Sequence, residues 1–314
     1  ITKDTNTYYS LTLSADAKTL ATVQSKLFVT LYTFPAAGMG ASLPTPTLPQ
    51  QQRRNFDFVW NGNGNFFLLN DHHIVKAASD GSTSAPIVNN NSISGISSCP
   101  DGSVLLLTMI GQGGGSGTNI WRLNSDGTNL KQLSTGQNDA APLCSTDSKW
   151  VYFVNGITNR IERVPLEGGT SETVPGSVIP HTLIGSATTD LSPDGKSLAI
   201  FFELSEGNPI PKLAVIPVDP GPNPQVRMLD PNPKISDGPR FTPDGKNLVY
   251  PIVQGGVGNL WVQPLDGSPG RQITDFKSGW IPKLQFSPDG KSLAVSNLRE
   301  ESDVILLRDT GSSQ

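Results

Sequence analysis

Three copies of one short pattern constrain this chain more than any other feature. They are Leu191-Ser192-Pro193-Asp194-Gly195-Lys196-Ser197-Leu198, Phe241-Thr242-Pro243-Asp244-Gly245-Lys246-Asn247-Leu248 and Phe286-Ser287-Pro288-Asp289-Gly290-Lys291-Ser292-Leu293. Looser copies stand at Ser14-Ala15-Asp16-Ala17-Lys18, Asn61-Gly62-Asn63-Gly64, Cys99-Pro100-Asp101-Gly102 and Ser145-Thr146-Asp147-Ser148-Lys149. The equivalent Asp or Asn positions are 16, 63, 101, 147, 194, 244 and 289, separated by 47, 38, 46, 47, 50 and 45 residues. A period of that size is one four-stranded propeller blade.

The pattern is turn chemistry rather than catalysis. Pro presets φ at the first corner, Asp takes the second, and Gly accepts a left-handed conformation. An apolar run without strict alternation follows, as in Ser197 to Phe202 or Val104 to Leu107, which suits a sheet covered on both faces. Further strands are read at Asn119 to Leu123, Arg160 to Val164 and Asn259 to Gln263, closed by turns at Asp80-Gly81, Asp126-Gly127, Glu167-Gly168-Gly169 and Asp266-Gly267. A fourth strand ends each unit near Leu133 or Ile273.

These readings predict an all-β chain, residues 1–314 forming a single seven-bladed β-propeller of four-stranded antiparallel blades. The last unit stops after Val304 to Leu307 and lacks a fourth strand. The distance from Ile1 to Asp16 matches that from a fourth strand to the next motif, so Ile1-Thr2 is expected to close the final blade beside Asp303 to Leu307.

Composition excludes several functions. Only 16% of residues are charged, and 32 Gly and 26 Pro favour short strands over long helices. With a net charge of −4 and scattered Lys and Arg, nucleic acid is not an expected partner. No run reaches the roughly 18 apolar residues that span a bilayer, so membrane insertion by this chain is not expected. The opening Ile1-Thr2-Lys3-Asp4 resembles neither a signal peptide nor an initiator sequence, which predicts a segment of a longer protein. Cys99 and Cys144, 45 residues apart, fit no dense disulfide framework and no metal-ligand spacing; buried free thiols are expected, with a bridge as the alternative.

Catalytic motifs are set aside one by one. No Gly-x-Ser-x-Gly elbow occurs. Gly111 to Gly117 lacks dinucleotide spacing and a following Gly-Lys-Ser/Thr, and Asp275-Phe276-Lys277 lacks the Gly of a kinase magnesium motif. His72, His73 and His181 are too dispersed for zinc, and His72 and His73 are read as consecutive strand positions pointing to opposite faces. No catalytic residue, metal ligand or cofactor is therefore assigned, a calcium ion in the central channel being the one ion considered.

Tight Asp-Gly hairpins occupy one face of the expected disc, leaving the longer loops for the other, among them Ile110 to Gly117, Glu203 to Pro211, Gly38 to Arg54, Pro175 to Thr188 and Asp230 to Gly238. Residues just before the innermost strands nominate Arg54, Asp139, His181, Asp237, Arg240 and Trp280 as channel-mouth contacts for a protein or small-molecule ligand. The Pro-rich Leu43 to Pro49 reads as a solvated surface excursion.

The Ser-Pro-Asp-Gly-Lys units at 192–196 and 287–291 resemble those of TolB-type propellers and of the N-terminal propeller of prolyl oligopeptidase-family dipeptidyl peptidases. Ile1 to Asp4 with Leu11 to Asp16, Asn259 to Gly267, Arg271 to Lys277 and Ser302 to Asp309 are similar to the C-terminal propellers of eukaryotic-like bacterial serine/threonine kinases, especially acidobacterial ones. In that family a cytoplasmic kinase precedes a membrane helix and an external propeller, so the resemblance implies an extracytoplasmic sensory or protein-interaction region, periplasmic or at the cell surface. Ala17, Asn63 and Ser148 depart from the motif and weaken turns rather than function. The alternatives are a propeller enzyme of lactonase type with a channel metal, and an accessory propeller of a serine peptidase.

Overall fold

A computed structural model of the chain describes residues 6–38, 46–52, 56–61, 64–78, 82–111, 117–177, 182–183, 189–204, 210–219 and 225–308. The described residues hold strands, turns and one short 3-10 segment at Ala36–Gly38.

The chain opens with β1 (Thr7–Leu13), β2 (Thr19–Pro35) and β3 (Pro46–Gln52). Three meanders follow: β4 (Phe56–Trp60), β5 (Phe66–Asn70), β6 (His73–Ala77) and β7 (Val88–Asn89); β8 (Ile93–Ser98), β9 (Val104–Ile110), β10 (Thr118–Asn124) and β11 (Lys131–Gln132); β12 (Asp139–Cys144), β13 (Trp150–Asn155), β14 (Arg160–Pro165) and β15 (Glu172–Thr173). The fourth sheet has its first position shared by β16 (Thr182–Leu183) and β17 (Thr189–Leu191), then β18 (Ser197–Leu204), β19 (Ile210–Pro217) and β20 (Arg227–Leu229). The fifth is β21 (Arg240–Phe241), β22 (Asn247–Gln254), β23 (Val257–Pro264) and β24 (Arg271–Gln272). β25 (Trp280–Phe286) and β26 (Ser292–Arg308) join β1, β2 and β3 in the sixth.

Seven motif copies thus yield six sheets among the described residues, one fewer than the spacing predicts. The first and last copies share a sheet, because β2 and β26 are each 17 residues long and pair in one register from Thr19 opposite Arg308 to Pro35 opposite Ser292. The final sheet therefore takes β25 and β26 from one end of the chain and β1, β2 and β3 from the other; its order is β25, β26, β2, with β3 beside the second half of β2 and β1 beside the first. What lies beside Asp303 to Leu307 is β2, from Leu20 to Gln24; Ile1-Thr2 lies outside the described residues. The second half of the Pro-rich stretch, expected as a solvated excursion, is the edge strand β3, a position that tolerates Pro because one side of the strand needs no partner.

The three full motif turns are each closed by their own side chains. Ser192 Oγ donates to Asp194 Oδ1 at 2.7 Å, that oxygen also accepts from the Lys196 N–H at 3.0 Å, and Gly195 has φ 71°. The same bonds recur at Thr242/Asp244 and Ser287/Asp289. These hydrogen bonds, led by the hydroxyl, hold the three carboxyls below the usual range. Where Gly is missing the turn still imposes a left-handed backbone, with φ 56° at Ala17 and 55° at Ser148.

The ring closes by packing between sheets. First strands neighbour one another in the cycle β4, β8, β12, β17, β21, β25 and back to β4. Six apolar clusters fill the six interfaces, such as Tyr152 and Ile161 with Leu198 and Phe202, or Leu31 and Ala294 with Phe58 and Phe66. At the last interface Trp60 donates through Nε1 to the Gln285 carbonyl at 2.9 Å, tying the first meander to β25.

Cys99 and Cys144 form a disulfide, contrary to the expected free thiols. Cys99 follows β8 and Cys144 ends β12, the first strands of adjacent sheets, which sets their Cα atoms 5.0 Å apart, within bridging range. A separation of 45 residues in sequence hides that proximity until the repeat places them one position apart, two residues before Asp101 and three before Asp147, in neighbouring units.

Candidate functional site in the central channel

Where the first strands converge they surround a cavity of about 400 Å³. Its lining draws on β4, β8, β12, β17, β21 and β25, so ring closure itself creates it.

Three of those strands are bulged at the cavity. The register shifts between Ile93 and Gly95 on β8, between Ala140 and Leu143 on β12, and between Trp280 and Lys283 on β25. The displaced residues Ser94, Ala141, Pro142 and Pro282 all line the cavity. A bulge bends the strand and re-aims its side chains, and here it widens the channel where six strands would otherwise crowd. Ala141 is held at φ 53°, a left-handed conformation uncommon for a residue with a Cβ. The Pro142 carbonyl is held by Ser97 Oγ of the preceding sheet at 2.6 Å.

The charged groups of the lining gather on one side. Lys283 Nζ lies 2.6 Å from Asp57 Oδ1, 2.9 Å from the Ile96 carbonyl and 5.8 Å from the Phe58 ring centre. Asp57 also accepts from the N–H of Ile96 at 2.9 Å and of Phe58 at 2.8 Å. One ion pair thus stitches three consecutive sheets. Burial pulls the Lys283 ammonium below its ordinary pKa, with Asp57 opposing.

The second charged group is built alike. Asp190 on β17 accepts from the Phe241 N–H of the next sheet at 2.8 Å, while Arg240 donates to the carbonyls of Pro239 at 2.9 Å and Thr189 at 3.3 Å. Burial pushes the Asp190 carboxyl up to about 6, against the attraction of Arg240. Facing these charges, β8 and β12 present Ser94, Gly95, Ile96, Ala140, Ala141 and Leu143. The cavity is amphipathic, with a charged wall and a neutral, bulged wall.

Of the sequence-predicted contacts, Arg240 lines this cavity. Asp139, expected at the channel mouth, is 1% exposed and buttresses its own loop, accepting from the Gly136 N–H at 2.9 Å; burial raises its pKa. Asp237 and Trp280 are half-buried and outside the lining, Asp237 accepting from the Gly238 N–H at 2.6 Å. Arg54 and His181 lie outside the described residues. His72 sits in the turn before β6 with φ 72°, its Nδ1 3.1 Å from the Ile93 carbonyl, so His72 and His73 are not consecutive strand positions.

Asp57, Asp190, Lys283 and the bulged residues escaped the sequence reading. Two signals pointed to them: a lone carboxylate inside an apolar first strand, as in Phe56-Asp57-Phe58-Val59, and Pro142 and Pro282 inside strands that read as sheet interior, where a missing N–H marks a bulge. Among the described residues no cluster of three or more His, Cys, Asp or Glu side chains is placed to hold a metal, and no helix is long and apolar enough to cross a membrane.

No family model and no curated protein sequence matches the chain. Solved structures do resemble it. A protein assigned as TolB from Agrobacterium tumefaciens superposes with a TM-score of 0.61 at 16% identity, covering 88% of this chain and 99% of that one. A chain of a nidogen/laminin complex gives 0.53 at 12% identity, covering 87% and 98%, and a gluconolactonase from Xanthomonas campestris 0.56 at 13%, covering 79% and 87%. At these identities the likeness shows the fold alone, that of a β-propeller.

Proposed function

We propose that this chain is a non-catalytic recognition propeller, one domain of a larger bacterial protein, that takes a protein segment or small molecule at the central cavity. The observation that carries this reading is the state of the cavity carboxylates. Asp57 and Asp190 each accept a backbone N–H of the following sheet and each faces a cation, so their role is to hold neighbouring sheets together around the cavity. Using them as metal ligands would loosen that stitching. The amphipathic lining suits a ligand with one charged end and an apolar body.

A sensory role in a membrane serine/threonine kinase rests on the sequence resemblance of residues 1–4, 11–16, 259–267, 271–277 and 302–309. The Cys99–Cys144 disulfide supports an extracytoplasmic address, since such bonds persist in oxidising compartments.

A lactonase-type enzyme is the second reading, favoured by one observation: a carboxyl raised to about 6 at Asp190 is poised for general base work near neutral pH. Titration calorimetry with calcium and manganese, beside hydrolysis assays on a panel of sugar lactones, separates the two. The recognition reading expects neither saturable metal binding nor turnover. Metal binding lost in both Asp57→Asn and Asp190→Asn, or lactone turnover lost in Asp190→Asn, would replace it with the enzyme.

A further inference from the structure

Outside the ring stands a three-stranded ribbon made of β1, the first half of β2 and the second half of β26. Of the ten exposed large apolar side chains among the described residues, five are on it: Tyr9, Leu11, Leu13, Val304 and Leu306. Val304 and Leu11 are each 71% exposed, far more than a core-directed strand would leave. β25 pairs with β26 only as far as Trp280 opposite Leu298. From Arg299 to Arg308, β26 therefore has β2 on one side and, among the described residues, no strand on the other. That edge contains Val304-Ile305-Leu306-Leu307 and no Pro or Gly, and it is paired without a bulge along its inner side. An edge of this kind is a template for another strand.

We propose that this edge pairs antiparallel with the same edge of a second copy of the chain, centred on Val304. Charge and symmetry select the register. A two-fold axis perpendicular to the sheet sets each residue opposite one of the same parity, so the pairing centres on a residue, and only centres at 303 or 304 use nearly the whole free edge. Centring on Asp303 opposes two carboxylates directly at the axis, which is unfavourable. Centring on Val304 sets Val304 against the partner's Val304, and Arg308 against the partner's Glu300 at both ends. The two ribbons then form one continuous six-stranded sheet, in which Ile305, Leu306 and Leu307 stand opposite the partner's Asp303, Ser302 and Glu301 and no like charges are directly opposed. The proposal does not depend on what the cavity holds.

Sedimentation velocity over a wide concentration range tests it. The expected result is a monomer–dimer equilibrium. Val304→Lys, which places two ammonium groups at the axis, weakens dimerisation by at least about tenfold, since like charges directly opposed are destabilising. Glu300→Arg and Arg308→Glu each weaken it by opposing like charges at both ends of the pairing. The double variant restores it, because the two signs are exchanged and opposite charges face each other again. Ser25→Ala controls for the hydrogen bond that Ser25 donates to Glu300 within one copy. All these positions but Ser25 are exposed, so an unchanged circular dichroism spectrum reports an intact fold. A chain that stays monomeric at every concentration overturns the proposal and leaves the edge to a different partner. A dimer indifferent to Val304→Lys, or a double variant no better than the singles, overturns it as well.

Discussion

The two halves of β26 share one hydrogen-bonded ladder with β2, yet their fates differ. From Leu293 to Leu298 the strand is buried; from Arg299 to Arg308 it is largely exposed. Backbone pairing is continuous through the boundary, so pairing does not decide burial. The difference is what lies on the flanks: Leu293 and Val295 pack between β25 and the fifth sheet, with Leu260 and Phe276, whereas among the described residues Val304 and Leu306 have only β2 beside them. A strand becomes core when its sheet acquires neighbours, and the same apolar residues past the rim become surface.

Substitutions in ring and ribbon probe this contrast, in decreasing order of expected effect. Replacing both Cys99 and Cys144 by Ser removes the disulfide of the ring, which joins residues 45 apart. Stability should fall by about 4 kcal/mol on the chain-entropy model. Reductant should lower the Tm of the parent chain and leave the variant unmoved; a parent insensitive to reductant contradicts the bridge.

Leu31→Ala, in the buried half of β2 at 1% exposure, should cost about 3 kcal/mol in urea unfolding. Leu306→Ala, on the ribbon at 59% exposure, should change the monomer's stability by no more than about 0.5 kcal/mol. Comparable losses at both sites would mean that the ribbon is packed against the body of the protein.

Asp190→Asn tests the charged wall of the cavity. A carboxyl raised from 3.8 to about 6 binds more protons folded than unfolded across that window, so its contribution to stability declines as pH rises from about 4 to 6. The Asn variant keeps an acceptor for the Phe241 N–H and loses the decline. It should gain about 2 kcal/mol on the parent between pH 4 and 7, read as the difference in Tm at the two pH values. A variant that tracks the parent at both contradicts the raised carboxyl.

Ser148→Gly should stabilise by about 1 kcal/mol, because the turn holds residue 148 at φ 55°. The gain is seen as a higher urea midpoint. Loss of stability would show that the Ser148 side chain has an unsuspected contact.

Much of the architecture was legible in the sequence, for a physical reason. A Ser-Pro-Asp-Gly-Lys turn uses side-chain to backbone bonds local to a few residues, so it marks hairpins without knowledge of the rest of the chain. The repeats therefore revealed the type of unit and its period. Their number did not give the number of sheets, because the motifs at Asp16 and Asp289 both flank strands long enough to serve one shared sheet. That depends on pairing between the two ends of the chain, as far apart as Thr19 and Arg308, for which no local signal exists. The same limit governs the site. Arg240 was reached because it stands at the start of a first strand, whereas Asp57 and Lys283 meet only when the two chain ends close the ring. Asp139 shows the converse error, since its place before a strand suggested a channel mouth when its side chain turns back into its own loop.

Closure of the ring by both chain ends underlies the cavity, the ion pair at Asp57 and the exposed ribbon alike. It is tested most directly by a cross-strand cysteine pair at Thr33 and Ala294, which face each other in the shared sheet. Non-reducing peptide mapping of Thr33→Cys with Ala294→Cys should recover a 33–294 cross-link in the monomer beside the native 99–144 bridge. Free thiols at both engineered positions under oxidising conditions, with the native bridge intact, would contradict the closure described here.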